Sequence, residues 1–184
     1  MSINNQKIID LAKKEKRLTI YPGPDGSQWL GVAGAIYPLL GVPVMSEDTI
    51  RAVYALPAAV KIEEADHLPA ELSFEETVQG EQPAFYEKIQ IQPISTPLIS
   101  LHCQQAVVFI EAAALKPLEP GANGDCALYE RADRYGRPYI VAKQGMMLEG
   151  VIRTRPDVLR ADWLEDLQNL VGSLRQSFEQ EGRQ

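Results

Sequence analysis

Cysteine and histidine are scarce in this chain: its 184 residues hold two of each, Cys103 and Cys126, His67 and His102. Two cysteines cannot form the disulfide framework of a small secreted domain, and the N-terminus lacks the basic-then-apolar order of a signal peptide. A reducing, cytoplasmic setting is the expectation. Four Cys and His residues scattered over the chain do not supply the clustered ligands of a zinc site, so no metal is expected. Nor is a cofactor: the stretch Gly23 to Gly31, GPDGSQWLG, lacks the Lys-Ser/Thr ending of a phosphate loop and precedes a strand, not a helix.

Long apolar runs are missing as well. The longest apolar region, Trp29 to Met45, is broken by Gly31, Gly34, Pro38, Gly41 and Pro43, which argues against a membrane span. Catalytic arrangements are equally sparse. No serine sits in a G-x-S-x-G setting, and the pairs Glu63-Glu64 and Glu75-Glu76 would be splayed apart by helix or strand, giving a solvated acidic face. His102 and Cys103 are neighbours on an expected strand, so their side chains point to opposite faces. A small enzyme using His67 with Cys103 or Cys126 is the enzymatic alternative; inert core thiols are the simpler reading.

What the chain does contain is ordinary globular material, 45% hydrophobic and 23% charged. Its net charge of −7 is unevenly placed. Residues 61 to 87 carry one lysine against eight carboxylates, whereas residues 131 to 160 carry seven Lys or Arg against three acids. An acidic protein thus holds one basic stretch able to face an anion. Arg131, Arg134 and Arg137 crowd one turn, Lys143 follows, and Arg153, Arg155 and Arg160 come after; the first six of these are the candidate nucleic-acid or anion contacts.

Periodicity places the elements. Residues 6 to 17 put Ile8, Ile9, Leu11 and Ala12 on one helical face, with Lys13, Lys14, Lys16 and Arg17 at the C-terminal end, where the helix dipole favours cations. Leu18 to Tyr21 is a strand, Pro22 to Gly26 a turn, and Gln28 to Tyr37 a return strand weakened by Gly31 and Gly34. Ser46 caps a helix to Leu56, with Glu47 and Asp48 in its first turn and Met45 and Ile50 as a hydrophobic staple. From Ala58 to Pro97 the periodicity fades into an acidic, proline-punctuated excursion over the surface, with one strand at Lys88 to Gln92. Leu98 to Cys103 and Ala106 to Ile110 read as strands, and Glu111 to Leu118 as two helical turns. Cys126 to Tyr129, Pro138 to Ala142 and Met146 to Ile152 form a three-stranded meander joined by glycine-bearing turns. Residues 156 to 180 make an amphipathic helix whose stripe, Leu164, Leu167, Leu170, Val171, Leu174 and Phe178, faces the core or a second copy of the chain.

The order from residue 106 to 152, with FIEAAALKPL leading in and YIVAKQGMMLEGVI closing, resembles one βαβββ repeat of the bacterial DNA sliding clamps. In those clamps the last two strands read as a polar strand, a glycine turn and an apolar strand. Tyr139 to Lys143, Gln144-Gly145 and Met147 to Ile152 hold these places here. Arg153-Thr154 stands where the clamp tends to have Met-Pro, and a helix follows where the repeat would stop. The resemblance implies a clamp-like accessory of DNA metabolism.

The expected fold is therefore α+β, mainly antiparallel sheet with short helices and a C-terminal amphipathic helix, with or without clamp-like topology. It is one domain over residues 1–184, or two sub-repeats, 1–60 and 98–155, joined by the acidic segment 61–97. The expected role is a non-enzymatic binding module with DNA as partner. The alternative is a structural or interaction protein, a homo-oligomer through residues 156–180.

Overall fold

Residues 3–91, 96–103, 107–118 and 126–156 are described by the structure, a computed structural model, and all but the last two belong to a unit covering residues 1–154. The first element, α1 (Asn5–Glu15), buries Ile8, Ile9, Leu11 and Ala12 along one face. It starts one residue before the expected residue 6 and is capped by Asn4, whose Oδ1 accepts from the Lys7 amide at 3.2 Å. Lys16, in the left-handed region at φ 56°, ends it.

Three strands follow: β1 (Arg17–Pro22), β2 (Gln28–Val32) and β3 (Ala35–Pro38). The single return strand expected over Gln28 to Tyr37 is in fact this β2–β3 hairpin. Ala33 and Gly34 both have positive φ, 51° and 72°, the signature of a two-residue turn that matches strand twist. Gly31 serves a different purpose, since a Cβ there would lie 2.8 Å from the Tyr21 ring.

Next comes α2 (Glu47–Val53), capped as expected: the Ser46 Oγ accepts from the Thr49 amide at 3.3 Å, and Met45 and Ile50 are both buried. Ser46→Ala should lower stability by about 1 kcal/mol, read as a shift in the denaturation midpoint. Equal midpoints would show that the cap contributes nothing. Beyond α2 lies a strand that periodicity did not reveal, β4 (Lys61–Glu64), which pairs parallel to β1 and leaves charged side chains along an outer edge of the sheet.

The second half holds β5 (Gln82–Ile91), β6 (Leu98–His102), β7 (Val107–Glu111), a 3-10 helix (Ala112–Leu118), β8 (Ala127–Ala132), β9 (Pro138–Gln144) and β10 (Met147–Arg153). The strand expected at 88–92 begins six residues earlier than its alternating core. The turns expected at 111–118 are 3-10, not α, because Pro117 has no amide to donate and its ring would strike the carbonyl one α-turn back.

All ten strands form one sheet in the order β4-β1-β2-β3-β10-β9-β8-β5-β6-β7, antiparallel apart from β1 and β4. A helix followed by a three-stranded meander occurs twice, α1 with β1 to β3 and the 3-10 helix with β8 to β10. The two meanders meet through their last strands, Ile36 opposite Val151. Beneath that seam α1 meets the 3-10 helix, where the Asn4 amide donates to the Pro117 carbonyl at 2.9 Å. Both helices fill the main core with Leu18, Leu30, Tyr37, Ile110, Ile140 and Ile152. Tyr37 donates to the Ala114 carbonyl at 2.6 Å, and burial raises its hydroxyl well beyond the usual phenol range.

The opposite face of the central strands carries a second cluster, Trp29, Ile36, Tyr139, Val141, Leu148 and Val151. Here the expected surface excursion departs from its reading. Residues 65–81 form a strap across this face, packing Leu68, Leu72 and Phe74 on the cluster. Phe74 meets Trp29 edge-on at 5.2 Å between centroids. No helix among the described residues is long and apolar enough to cross a membrane. The helix expected over 156–180 lies, after Pro156, outside the described residues, and so do Leu164, Leu167, Leu170, Val171, Leu174, Phe178 and Arg160.

Candidate functional site

The basic stretch of the meander and the acidic segment prove to be two sides of one contact. Arg131 lies on β8 facing the strap, with 1% of its side chain exposed. Its Nε and Nη2 donate to Glu81 Oε2 at 2.9 and 2.7 Å, and its other donors reach the carbonyls of Ser73, Glu75 and Glu76 at 3.3, 2.8 and 3.2 Å. Lys143, on β9 with 5% exposed, donates to Glu81 Oε1 and sits over the Tyr129 ring at 5.1 Å. Burial pushes the Glu81 carboxyl up, but the hydrogen bonds from Lys143 and Arg131 outweigh it and hold the group below the usual carboxylate range.

The remaining candidates are also engaged. Arg153 pairs with Glu71 at 2.6 Å. In the β8–β9 turn Asp133 accepts from the amides of Tyr135 and Arg137 and from Arg137 Nε, at 2.8, 2.9 and 2.8 Å. Arg134 and Arg137 flank the Tyr135 ring at 4.7 and 5.1 Å, and Arg134 also donates to its hydroxyl. Arg155 follows β10 and has a partner of its own. Arg131 and Lys143 are therefore buried against Glu81, while Arg137 and Arg153 pair with carboxylates and stay 60% and 45% exposed. Except for Arg137 with Asp133, these pairs join residues 50 or more positions apart, which a count of charge by segment cannot register.

The cysteines of the enzymatic alternative both belong to the main core, Cys103 buried within it and Cys126 partly buried against it. His67 lines a cleft with Asp25, Asp66, Leu68 and Phe74, whereas Cys103 is 1% exposed. Burial, with Glu130 adding to it, pushes the Cys103 thiol up to about 11, which leaves it protonated and unreactive at neutral pH. His102 is exposed while Cys103 is buried, the alternation expected of neighbours on a strand. Among the described residues no group of three or more His, Cys, Asp or Glu is placed to hold a metal ion.

What the fold does open is an apolar cleft of about 830 Å³ at one end of the sheet. Pairing between β5 and β8 stops at Ala84 opposite Leu128. Beyond it Phe85 and Tyr86 on one side and Cys126 and Ala127 on the other form the walls, with Leu115 and Leu118 of the 3-10 helix beneath. Phe85 and Tyr86 are 64% and 59% exposed, an unusual state for two adjacent aromatics. The lining is mostly apolar, with Tyr86, Tyr129 and Cys126 as its polar-tipped side chains. Sequence reasoning passed over it because Phe85-Tyr86 lies inside the acidic stretch; two adjacent aromatics in a polar run were the available signal.

Compared with protein-family models, curated proteins and solved structures, the chain has no match in any of the three.

Proposed function

We propose that this protein is a non-enzymatic binding module that seats apolar side chains of a partner segment in the cleft beside the 3-10 helix. The observation that carries the reading is the cleft itself, about 830 Å³ and walled by the exposed rings of Phe85 and Tyr86. Adjacent aromatics more than half exposed at the rim of a largely apolar depression are the usual anchors of a protein interface. A reducing, cytoplasmic setting accords with both cysteines being free. An apolar dye such as ANS should brighten on the native protein and lose most of that signal in Phe85→Ser/Tyr86→Ser, whose melting temperature should hardly move because both rings are exposed. Equal dye binding by the variant would remove the cleft as the working surface.

A second reading is a clamp-like accessory of DNA metabolism. It draws on the likeness of residues 106–152 to a clamp repeat and on the twofold occurrence of helix plus meander, joined through β3 and β10. Salt-sensitive retention of duplex DNA would favour it. Self-association through the leucine stripe of 156–180 is a separate proposal, tested by sedimentation of Leu170→Lys.

A further inference from the structure

A second depression, of about 410 Å³, lies between α1 and the 3-10 helix, lined by Lys7, Asp10, Leu11, Lys14 and Lys116. The cationic residues elsewhere in the described fold are largely paired: Arg17 and Lys61 with Glu63, Arg51 with Glu47, Arg131 and Lys143 with Glu81, Arg137 with Asp133, Arg153 with Glu71. Lys14 and Lys116 break this pattern. Both are exposed and neither has a carboxylate partner among the described residues, while Asp10, the groove's one acid, accepts from Gln6 at 3.0 Å. The helix dipole accounts for Lys13 and Lys14 in the last turn of α1, but not for Lys7 in its first turn, nor for Lys116 on another element. Folding has brought Lys14 and Lys116 together from about a hundred positions apart, with no carboxylate partner for either among the described residues.

The groove and the apolar cleft both take one wall from the 3-10 helix. Leu115 lines the cleft and Lys116, the next residue, lines the groove, so the two depressions flank the same turn of the 3-10 helix. Resting on the cleft reading above, we infer that the partner is an acidic–hydrophobic peptide segment, its apolar residues in the cleft and its carboxylates against Lys14 and Lys116. A nucleic-acid backbone fits less well. It carries one charge per ~1.7 Å and would run beyond the groove over the surface of a protein of net charge −7, where repulsion opposes it. A short acidic peptide stays within the groove. Lysines also act as point charges that suit single carboxylates, whereas planar two-point phosphate recognition favours arginine, and none lines this groove.

The test is selection of random peptides about twelve residues long by the full chain, in parallel with Lys14→Glu/Lys116→Glu and with Phe85→Ser/Tyr86→Ser. Wild type should enrich peptides in which Asp or Glu flanks an apolar pair. The lysine variant, with unchanged melting, should keep the apolar pair, lose the acidic bias and bind the selected acidic peptides about tenfold or more weakly, a gap that closes as salt rises. Enrichment of apolar peptides without acidic bias, or equal affinity in the lysine variant, would overturn the inference while leaving the cleft reading intact. Peptides selected equally by the aromatic variant, or no enrichment at all, would overturn both. Displacement of the selected peptide by duplex DNA but not by polyglutamate would assign the groove to nucleic acid instead.

Discussion

Glu81→Ala is expected to cost about 3–5 kcal/mol of folding stability, the range for removing one partner of a buried ion pair. In a chain of this size that corresponds to a fall in melting temperature of roughly 6 to 20 °C. The size of the effect follows from what is left behind. Arg131 and Lys143 have 1% and 5% of their side chains exposed, and among the described residues Glu81 is the only carboxylate that their ion pairs reach. Without it two cations stand desolvated beneath the strap. Part of the loss should be recovered in the triple variant Arg131→Met/Glu81→Leu/Lys143→Met, because apolar side chains of similar volume need no countercharge, although the carbonyls of Ser73, Glu75 and Glu76 then lose the Arg131 donors. A melting temperature for Glu81→Ala within 2 °C or so of wild type, measured at pH 7, would show that the triad carries no net stability.

The same residue sets an acid limit. The folded carboxyl titrates below its unfolded value of about 4.3, so its contribution is fully present above that pH and disappears as pH falls through the folded value. Glu71 adds in the same direction, held low first by the hydrogen bond from Arg153. The gap in stability between wild type and Glu81→Gln should therefore be widest near neutrality and narrow steadily below about pH 4. A gap independent of pH would mean that packing, not charge, explains the effect of the substitution.

Trp29→Ala should cost about 3–5 kcal/mol, the range for removing a large buried aromatic. Trp29 is buried at the centre of the second cluster, against the edge of Phe74 on the strap. Trp29→Phe should cost considerably less than its lost volume implies. The indole Nε1 is buried without a hydrogen-bond partner, so its removal also relieves an unsatisfied donor. In a double-mutant cycle Trp29 and Phe74 should couple by about 0.5–1.5 kcal/mol, the value of an edge-to-face pair. Zero coupling would mean that the strap lies on the sheet without being held by this contact.

These two results concern a surface that did not look like one in the sequence. Glu81 and the basic meander residues stand at least fifty positions apart, in stretches of opposite net charge that read as two separate solvated faces. Folding makes them a single interface. The same distance hid the cleft, whose walls come from β5, the 3-10 helix and the start of β8, and the groove, which needs α1 and Lys116 together. Even the β2–β3 hairpin, a local feature, was merged into one strand, because Ala33-Gly34 is a weaker turn signal than Asn-Gly or Asp-Gly.

What the sequence determined by itself is what neighbours along the chain decide: the apolar face of α1, the cap at Ser46, the alternation of His102 and Cys103, the strands of the meander, and an α+β class dominated by antiparallel pairing. Caps, turns and side-chain alternation depend on residues one to four positions apart, so their signal is written locally. The tertiary structure alone decided which carboxylate neutralises which cation, that an acidic segment covers an apolar face, and which aromatics stay in water. Each of these is a contact between residues far apart in the chain, and the free energy of such a contact depends on burial, which no local pattern specifies.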